Sequence, residues 1–206
     1  MNAQNPPTAF LFVGNHPCLD FVNTQLVTGG QPVETLASYS DVVRWLVEAK
    51  LLTGDAAKRY VGRGIGPEQE ARILERARAF RATLRDMVER IASGKPVPQA
   101  ALDAINGMLR HRLGCPVVLR GKDGFERGVE PASHDPAQVL GLLAEAAADL
   151  LCRCDLSLIK PCQNPACVLF FYDTSKNHTR QWCSMNLCGN RSKVAAHYRR
   201  HRRRKS

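Results

Sequence analysis

The sequence predicts a mainly α protein with small β-hairpins. It reads as an α+β chain in which a helical amino-terminal domain is followed by a small treble-clef-like or β-hairpin-plus-helix module. Three observations predict this. Apolar residues recur at helical spacing over 67–91 and 136–152, the period of one buried helix face. Two extended runs flank Gly121-Lys122-Asp123-Gly124, turn residues that join hairpin strands. Near the end, cysteines fall in two pairs, Cys162/Cys167 and Cys183/Cys188, each enclosing four residues, with fifteen residues between the pairs.

The cysteine spacing carries chemistry. A short gap lets one tight loop present two sulfurs, and the long gap lets the chain bring the second loop opposite the first. Four thiolates so placed close a tetrahedron around Zn²⁺. Pro161, Pro165 and Gly189 supply the turns. Four sulfur ligands leave no position for water, so the site is expected to hold one structural Zn²⁺, bound by Cys162, Cys167, Cys183 and Cys188.

The chain of 206 residues is 44% hydrophobic, enough for one sizeable domain plus a small module. The boundaries expected are 1–155 for the helical domain and 156–206 for the metal module. In chain order, Phe10 to Val13 is an extended run, Gly14 to Pro17 a turn, and Leu19 to Thr24 a helix start. Asp20 and Asn23 read first as residues that cap or pin that start. In the second reading they line, with His16, a pocket for a small-molecule effector. Thr28 to Pro32 reads as a loop. A helix begins at Ser40-Asp41, with Trp45 expected in the core, and Thr53 or Asp55 caps a short helix through Tyr60. Gly62 to Gly66 is a glycine-rich link without the Lys-Ser/Thr ending of a phosphate loop.

Pro67 to Ile91 is the clearest long helix, with Ile73, Leu74, Ala77, Phe80, Leu84, Met87, Val88 and Ile91 in one stripe. Its Arg72, Arg76, Arg78, Arg81 and Arg85 alternate with acids and read as a solvated face with local pairs. Pro98 to Arg110 is a further helix, Pro116–Leu119 and Phe125–Val129 form the hairpin, and Asp135-Pro136 opens a helix to about Cys152. Cys18, Cys115, Cys152 and Cys154 read as small core or surface residues. Leu156–Lys160 and Val168–Tyr172 are expected strands of the metal module. Phe170, Phe171, Trp182, Met185 and Leu187 are its expected core, and a helix runs from Gly189 to near Arg203 with Val194 and Tyr198 inward. So short a module buries little surface, so the metal must supply much of its folding free energy.

Charge is concentrated at one end. Of the 29 Lys and Arg, ten lie from Lys176 onward, and no Asp or Glu follows Asp173. The remaining nineteen balance nineteen acids, so the whole formal charge of +10 sits in the last 31 residues. A neutral body with a cationic end suits a polyanionic partner. No Lys or Arg precedes Arg44, so no basic signal-peptide region is expected. No apolar run approaches the roughly 18 residues of a membrane span. A cytoplasmic protein with reduced thiols and no membrane partner is expected.

Cys188-Gly189-Asn190-Arg191, with Trp182-Cys183-Ser184-Met185 before it and Lys193 after it, resembles the CGNR zinc finger, named for that tetrapeptide. The resemblance spans 157–200 and includes Phe171, Asp173, Ser175, Asn177, Arg180 and the four cysteines. Leu19 to Thr24, Trp45-Leu46 and Leu51-Leu52 are similar to the ABATE domain that usually precedes this finger, over about residues 10–150. The resemblance implies a bacterial, stress-related transcriptional regulator that binds double-stranded DNA, with the body sensing a ligand or forming a homodimer. Expected DNA-binding residues are Arg180, Asn190, Arg191, Lys193, Arg199, Arg200, Arg203 and Arg204. The alternative for Asn190 and Arg191 is bracing of the finger, for example by pairing Arg191 with Asp173.

Two rival functions follow from the same residues. An RNA-binding protein would use the basic tail with Phe171, Tyr172 and Tyr198 as stacking platforms. An enzyme would place its reaction in the body with the finger as scaffold, but the sequence has no nucleophile–base pair, metal-ligating His pair or nucleotide loop. A non-enzyme is therefore expected.

Overall fold

The computed structural model describes residues 9–61, 65–110, 114–121, 124–131 and 135–194. The helices are α1 (Pro17–Val22), α2 (Tyr39–Glu48), α3 (Gly54–Ala57), α4 (Pro67–Ala92), α5 (Gln99–Arg110) and α6 (Val139–Arg153). Three antiparallel two-stranded sheets accompany them: β1 (Gln25–Thr28) with β2 (Gln31–Glu34), β3 (Gly114–Gly121) with β4 (Gly124–Pro131), and β5 (Ile159–Pro161) with β6 (Phe170–Tyr172). This is the α+β architecture that the sequence predicts.

Local chemistry explains the helix boundaries. Pro17 stands in the first turn of α1, and the His16 Nδ1 accepts from Cys18 N at 3.2 Å, capping the helix. Ser38 and Asp41 form a reciprocal capping box on α2, at 3.2 and 2.9 Å. Thr53 Oγ1 caps α3 by accepting from Ala56 N. Residues 67–92 follow the expected stripe, burying Ile73, Leu74, Ala77, Phe80, Leu84, Met87 and Val88, with Ile91 at its end only half-buried.

The core joins α1, α2, α4, α5 and α6 around Trp45, which is fully buried, stacked near Phe12 at 6.1 Å and edge-on to Phe21 at 5.3 Å. Ile159 and Phe170, from the metal module's own hairpin, complete this core. A second cluster surrounds the cysteines: Leu26, Leu169 and Phe171 with Cys162, Cys183 and Cys188, flanked by Leu11, Val13 and Val33. Residues from both sides of the expected boundary at 155 therefore share both cores.

Several local expectations are corrected. Residues 28–32 are no irregular loop: Thr28 pairs with Gln31, and Gly29 and Gly30, at φ 60° and 79°, make the two-residue turn of a hairpin. Residues 156–158 are one 3-10 turn rather than strand. Val194 is 54% exposed and Met185 47%, against the expected inward placement of both. Tyr198 and residues 62–64 lie outside the described residues.

The arginines of α4 do not form one solvated face. Arg72 and Arg78 make the local pairs expected, with Glu68 and Glu75. Arg81, 4% exposed, instead pairs with Glu34 of β2 and donates to Thr24. Arg85 donates to the carbonyls of Val22 (2.9 Å), Gln25 (3.0 Å) and Val168 (3.0 Å). Helical spacing places these residues correctly; what lies opposite them decides their role.

Candidate metal centre and nucleic-acid interface

The first pair of cysteines sits on a turn that the hairpin β5–β6 presents. Pro161 pairs with Phe170, and Cys162 N donates to Leu169 O at 2.9 Å. Asn164 then closes the turn, its carbonyl accepting from Cys167 N at 2.8 Å and its side chain from Ala166 N at 3.1 Å. Gln163 N donates to Gln181 O at 2.9 Å, which brings the second pair opposite the first. There Ser184 organises a π turn, Met185–Gly189: its hydroxyl accepts from Leu187 N, and its carbonyl from Cys188 N and Gly189 N.

The sulfurs of Cys162, Cys167, Cys183 and Cys188 lie within 4.8 Å of one another. A tetrahedral Zn–S₄ centre with bonds of about 2.3 Å has sulfur–sulfur edges of about 3.8 Å. Cys167–Cys183 is 3.9 Å and Cys183–Cys188 is 3.6 Å. The donor set is all thiol and mostly buried, so it fits a single structural Zn²⁺. When bound, zinc cross-links the two turns and holds the sulfurs as thiolates.

Crowding drives Cys167, Cys183 and Cys188 apart. Hydrogen bonding with Cys183 takes Cys167 down to about 5, with the Leu169 N–H assisting against burial. The same contact with Cys167, then burial, pushes Cys183 far above the usual thiol range, and burial pushes Cys188 up to about 11.

A polar clamp lies behind the sulfurs. Asp173 is fully buried and accepts from Lys160 Nζ (2.7 Å), Ser175 N and Oγ (3.0 and 2.6 Å) and Arg180 N (3.0 Å). Burial opposes its charge, but these donors outweigh it and hold its carboxyl well below the usual range. Its cationic partner is Lys160, not Arg191, whose Nε donates to Leu187 O. The Arg180 guanidinium lies 4.3 Å over the Phe171 ring and donates to the carbonyls of Val13 (3.0 Å), Trp182 (2.9 Å) and Cys183. Those bonds leave it braced inside the seam rather than presented to a polyanion.

Asn190, Arg191 and Lys193 are different. Residues 190–194 continue directly from Cys188-Gly189 as helix, and Arg191 and Lys193 are exposed without an ion pair among the described residues, although the Arg191 Nε is held by Leu187 O within the finger. Arg199, Arg200, Arg203 and Arg204 lie outside the described residues.

The three candidate pocket residues do not converge. His16 lines a cavity of about 550 Å³ together with Pro17, Leu51, Glu145, Asp149 and Cys152. Its Nε2 lies 3.4 Å from Asp149 Oδ2, and burial lowers its pKa although Asp149 pulls the other way. The Asp20 carboxylate turns instead to Gly14 N at 2.7 Å, and burial pushes its pKa up to about 6 despite that donor and Arg180. A Cβ on Gly14 would stand 2.9 Å from that carboxylate and 3.0 Å from the Asp20 backbone nitrogen, so the approach needs glycine. Asn23 pairs with both backbone groups of Phe170, at 2.8 and 2.9 Å. The helix start is capped by His16 rather than by either residue: Asp20 pins the preceding turn through Gly14, and Asn23, at the other end of α1, reaches the metal module.

Lys160 and Arg85 are site residues that sequence reasoning missed. Asn23 was singled out from the sequence, but its partner, the backbone of Phe170, was not. Lys160 and Arg85 offered none, since each meets groups distant along the chain.

Residues 15–153 match the family model ABATE, described as "Putative stress-induced transcription regulator", and residues 159–201 match the CGNR zinc finger. No curated protein matches the chain. With two thirds of its length covered by the first model and its four-cysteine cluster inside the second, the chain belongs to the ABATE family of regulator type and carries a CGNR zinc finger.

Proposed function

We propose that the protein is a bacterial, cytoplasmic transcriptional regulator that binds double-stranded DNA through its zinc finger and basic carboxy-terminal segment. One observation carries the reading. The helix that begins at Asn190 leaves directly from the fourth sulfur ligand, so zinc fixes its entry, and the sequence from Asn190 onward holds eight basic residues and no acid. A major groove admits one α-helix, and arginine there reads guanine bidentately. Asn190, Arg191, Lys193, Arg199, Arg200, Arg203 and Arg204 form the proposed surface. Most of these contacts go to phosphate, which positions the protein without specifying sequence. Arg180 is left out of this surface because its guanidinium is engaged within the fold.

The RNA reading loses part of its support, because Phe171 is fully buried and cannot stack on a base. The helical body (1–155) is proposed as sensor or homodimeriser, with the His16 cavity as the place where an effector would act. That cavity abuts the turn whose Gly14 carbonyl accepts from Tyr172 N at 2.7 Å, which gives an occupant a short path to the finger.

The test is selection from a random duplex-DNA pool by the zinc-loaded chain near physiological salt. An enriched motif supports a sequence-specific regulator. With five or six phosphate contacts, affinity falls with salt at a log–log slope of about −5. Retention without an enriched motif reduces the tail to non-specific phosphate binding, and failure to retain DNA overturns the proposal.

A further inference from the structure

We infer that the helical body is part of the structure that holds the metal: Asn23 and Arg85, which touch no sulfur, position the first cysteine turn, so metal occupancy and folding of the body form one equilibrium. Asn23 closes α1 as its carboxy-terminal cap and sends its side chain across to β6. Its amide gives Nδ2 to Phe170 O at 2.8 Å and takes Phe170 N on Oδ1 at 2.9 Å, both buried. One side chain thus serves β6 as a neighbouring strand would. Two residues on, Tyr172 N donates to Gly14 O at 2.7 Å. The free edge of the finger's hairpin is therefore paired by the body.

Arg85 acts on the other side of the same turn. Val168, whose carbonyl it holds at 3.0 Å, directly follows the ligand Cys167. The same guanidinium holds Val22 and Gln25 at 2.9 and 3.0 Å, and its Nε has no partner among the described residues. A half-buried guanidinium that holds three carbonyls and lies 5.8 Å over the Phe170 ring is costly to leave unmatched, so Val168 is fixed against α4. The second turn is tied across as well, since Arg180 bridges Cys183 O and Val13 O. Leu26 and Val33 from β1–β2, with Leu11 and Val13, close the apolar shell around the sulfurs. Roughly fifty residues of finger do not bury enough surface to fix this geometry unaided.

Thermodynamic linkage makes the consequence symmetrical. A metal that binds only the folded site stabilises whatever folds with that site, and loosening the body weakens the metal.

The experiment uses the full chain and no DNA, so its outcome is separate from that of the DNA reading. Zinc affinity is measured by competition with a chromogenic chelator, and thermal unfolding by the helical circular-dichroism signal, which comes mostly from the body. N23A and R85K are expected to bind zinc about tenfold more weakly with all four cysteines present, while R72A, at an exposed position of the same helix, stays within twofold. In the wild type, free zinc at about a thousand times its Kd is expected to raise the helical midpoint by about 8–16 °C over the chelated protein. That second measurement decides the matter if the variants do not fold. An unmoved helical midpoint on chelation overturns the inference, and so does wild-type zinc affinity in both folded variants.

Discussion

In the body, Trp45, Phe21, Leu84 and Leu143 are buried among side chains of five helices, and a polar partner for the indole is dispensable: Trp45 Nε1 has none among the described residues. In the finger the most buried groups include Phe171, Cys183 and Asp173, and nearly every polar one has an assigned partner. The body's order rests on apolar area spread over many contacts. The finger's rests on a few sulfurs and one carboxylate, each decisive. Losses are therefore graded in the body and abrupt in the finger.

The largest break of that contrast is at the metal. Cys183→Ser is expected to abolish stoichiometric zinc in the purified protein, read by metal analysis. Structural zinc in finger peptides is worth about 10–16 kcal/mol in apparent binding free energy near neutral pH. Retention of one zinc at wild-type affinity would show that three sulfurs suffice. Next comes the core. Trp45→Ala is expected to cost about 3–5 kcal/mol in denaturant unfolding. Trp45→Phe should cost clearly less, because it keeps a ring and removes the N–H without a partner. Equal losses would mean that the indole nitrogen has a role the fold conceals.

The smallest effect sharpens the comparison through pH. Asp20 is pushed up to about 6 from an ordinary 3.8, so the fold favours its protonated form. Its contribution is fully present below the ordinary value and is lost as pH rises through about 6. The wild type should therefore gain about 2–3 kcal/mol relative to Asp20→Asn between pH 7 and 4, read as the difference in unfolding free energy. His16, lowered by burial, works in the opposite sense in the wild type and the variant alike, so the difference isolates Asp20. Asp173 also opposes it: held low, it stabilises above the ordinary carboxylate range and fails only as acid protonates it. Protons compete with zinc for the thiolates too. Acid should thus release zinc while Asp20 supports the body, and a wild type that tracks Asp20→Asn at every pH would remove Asp20 from this account.

How much was legible follows from how far each signal reaches. The cysteine quartet stood in the sequence because its spacing alone limits what the loops can do. The cap at Thr53 and the stripe of α4 were legible because their partners lie within four residues, whereas α2 was expected from Ser40-Asp41 and its cap is Ser38. The hairpin β1–β2 was missed despite Gly29-Gly30, since strands of four residues bury only Leu26 fully and show no clear alternation. Val194 and Met185 were placed inward on composition, whereas the finger fills its core with sulfur, Phe171 and residues lent by the body.

By itself the sequence determined the helix and hairpin periods, the single zinc site, and the separation of a neutral body from a cationic end. Tertiary structure alone decided that Arg180 braces the seam, that Lys160 neutralises Asp173, and that Asn23 pairs with Phe170 across 147 residues. The physical reason is that those partners are largely backbone carbonyls and amides. Every residue carries them, so they leave no mark in a sequence, and only the packing of the chain selects which ones a side chain meets.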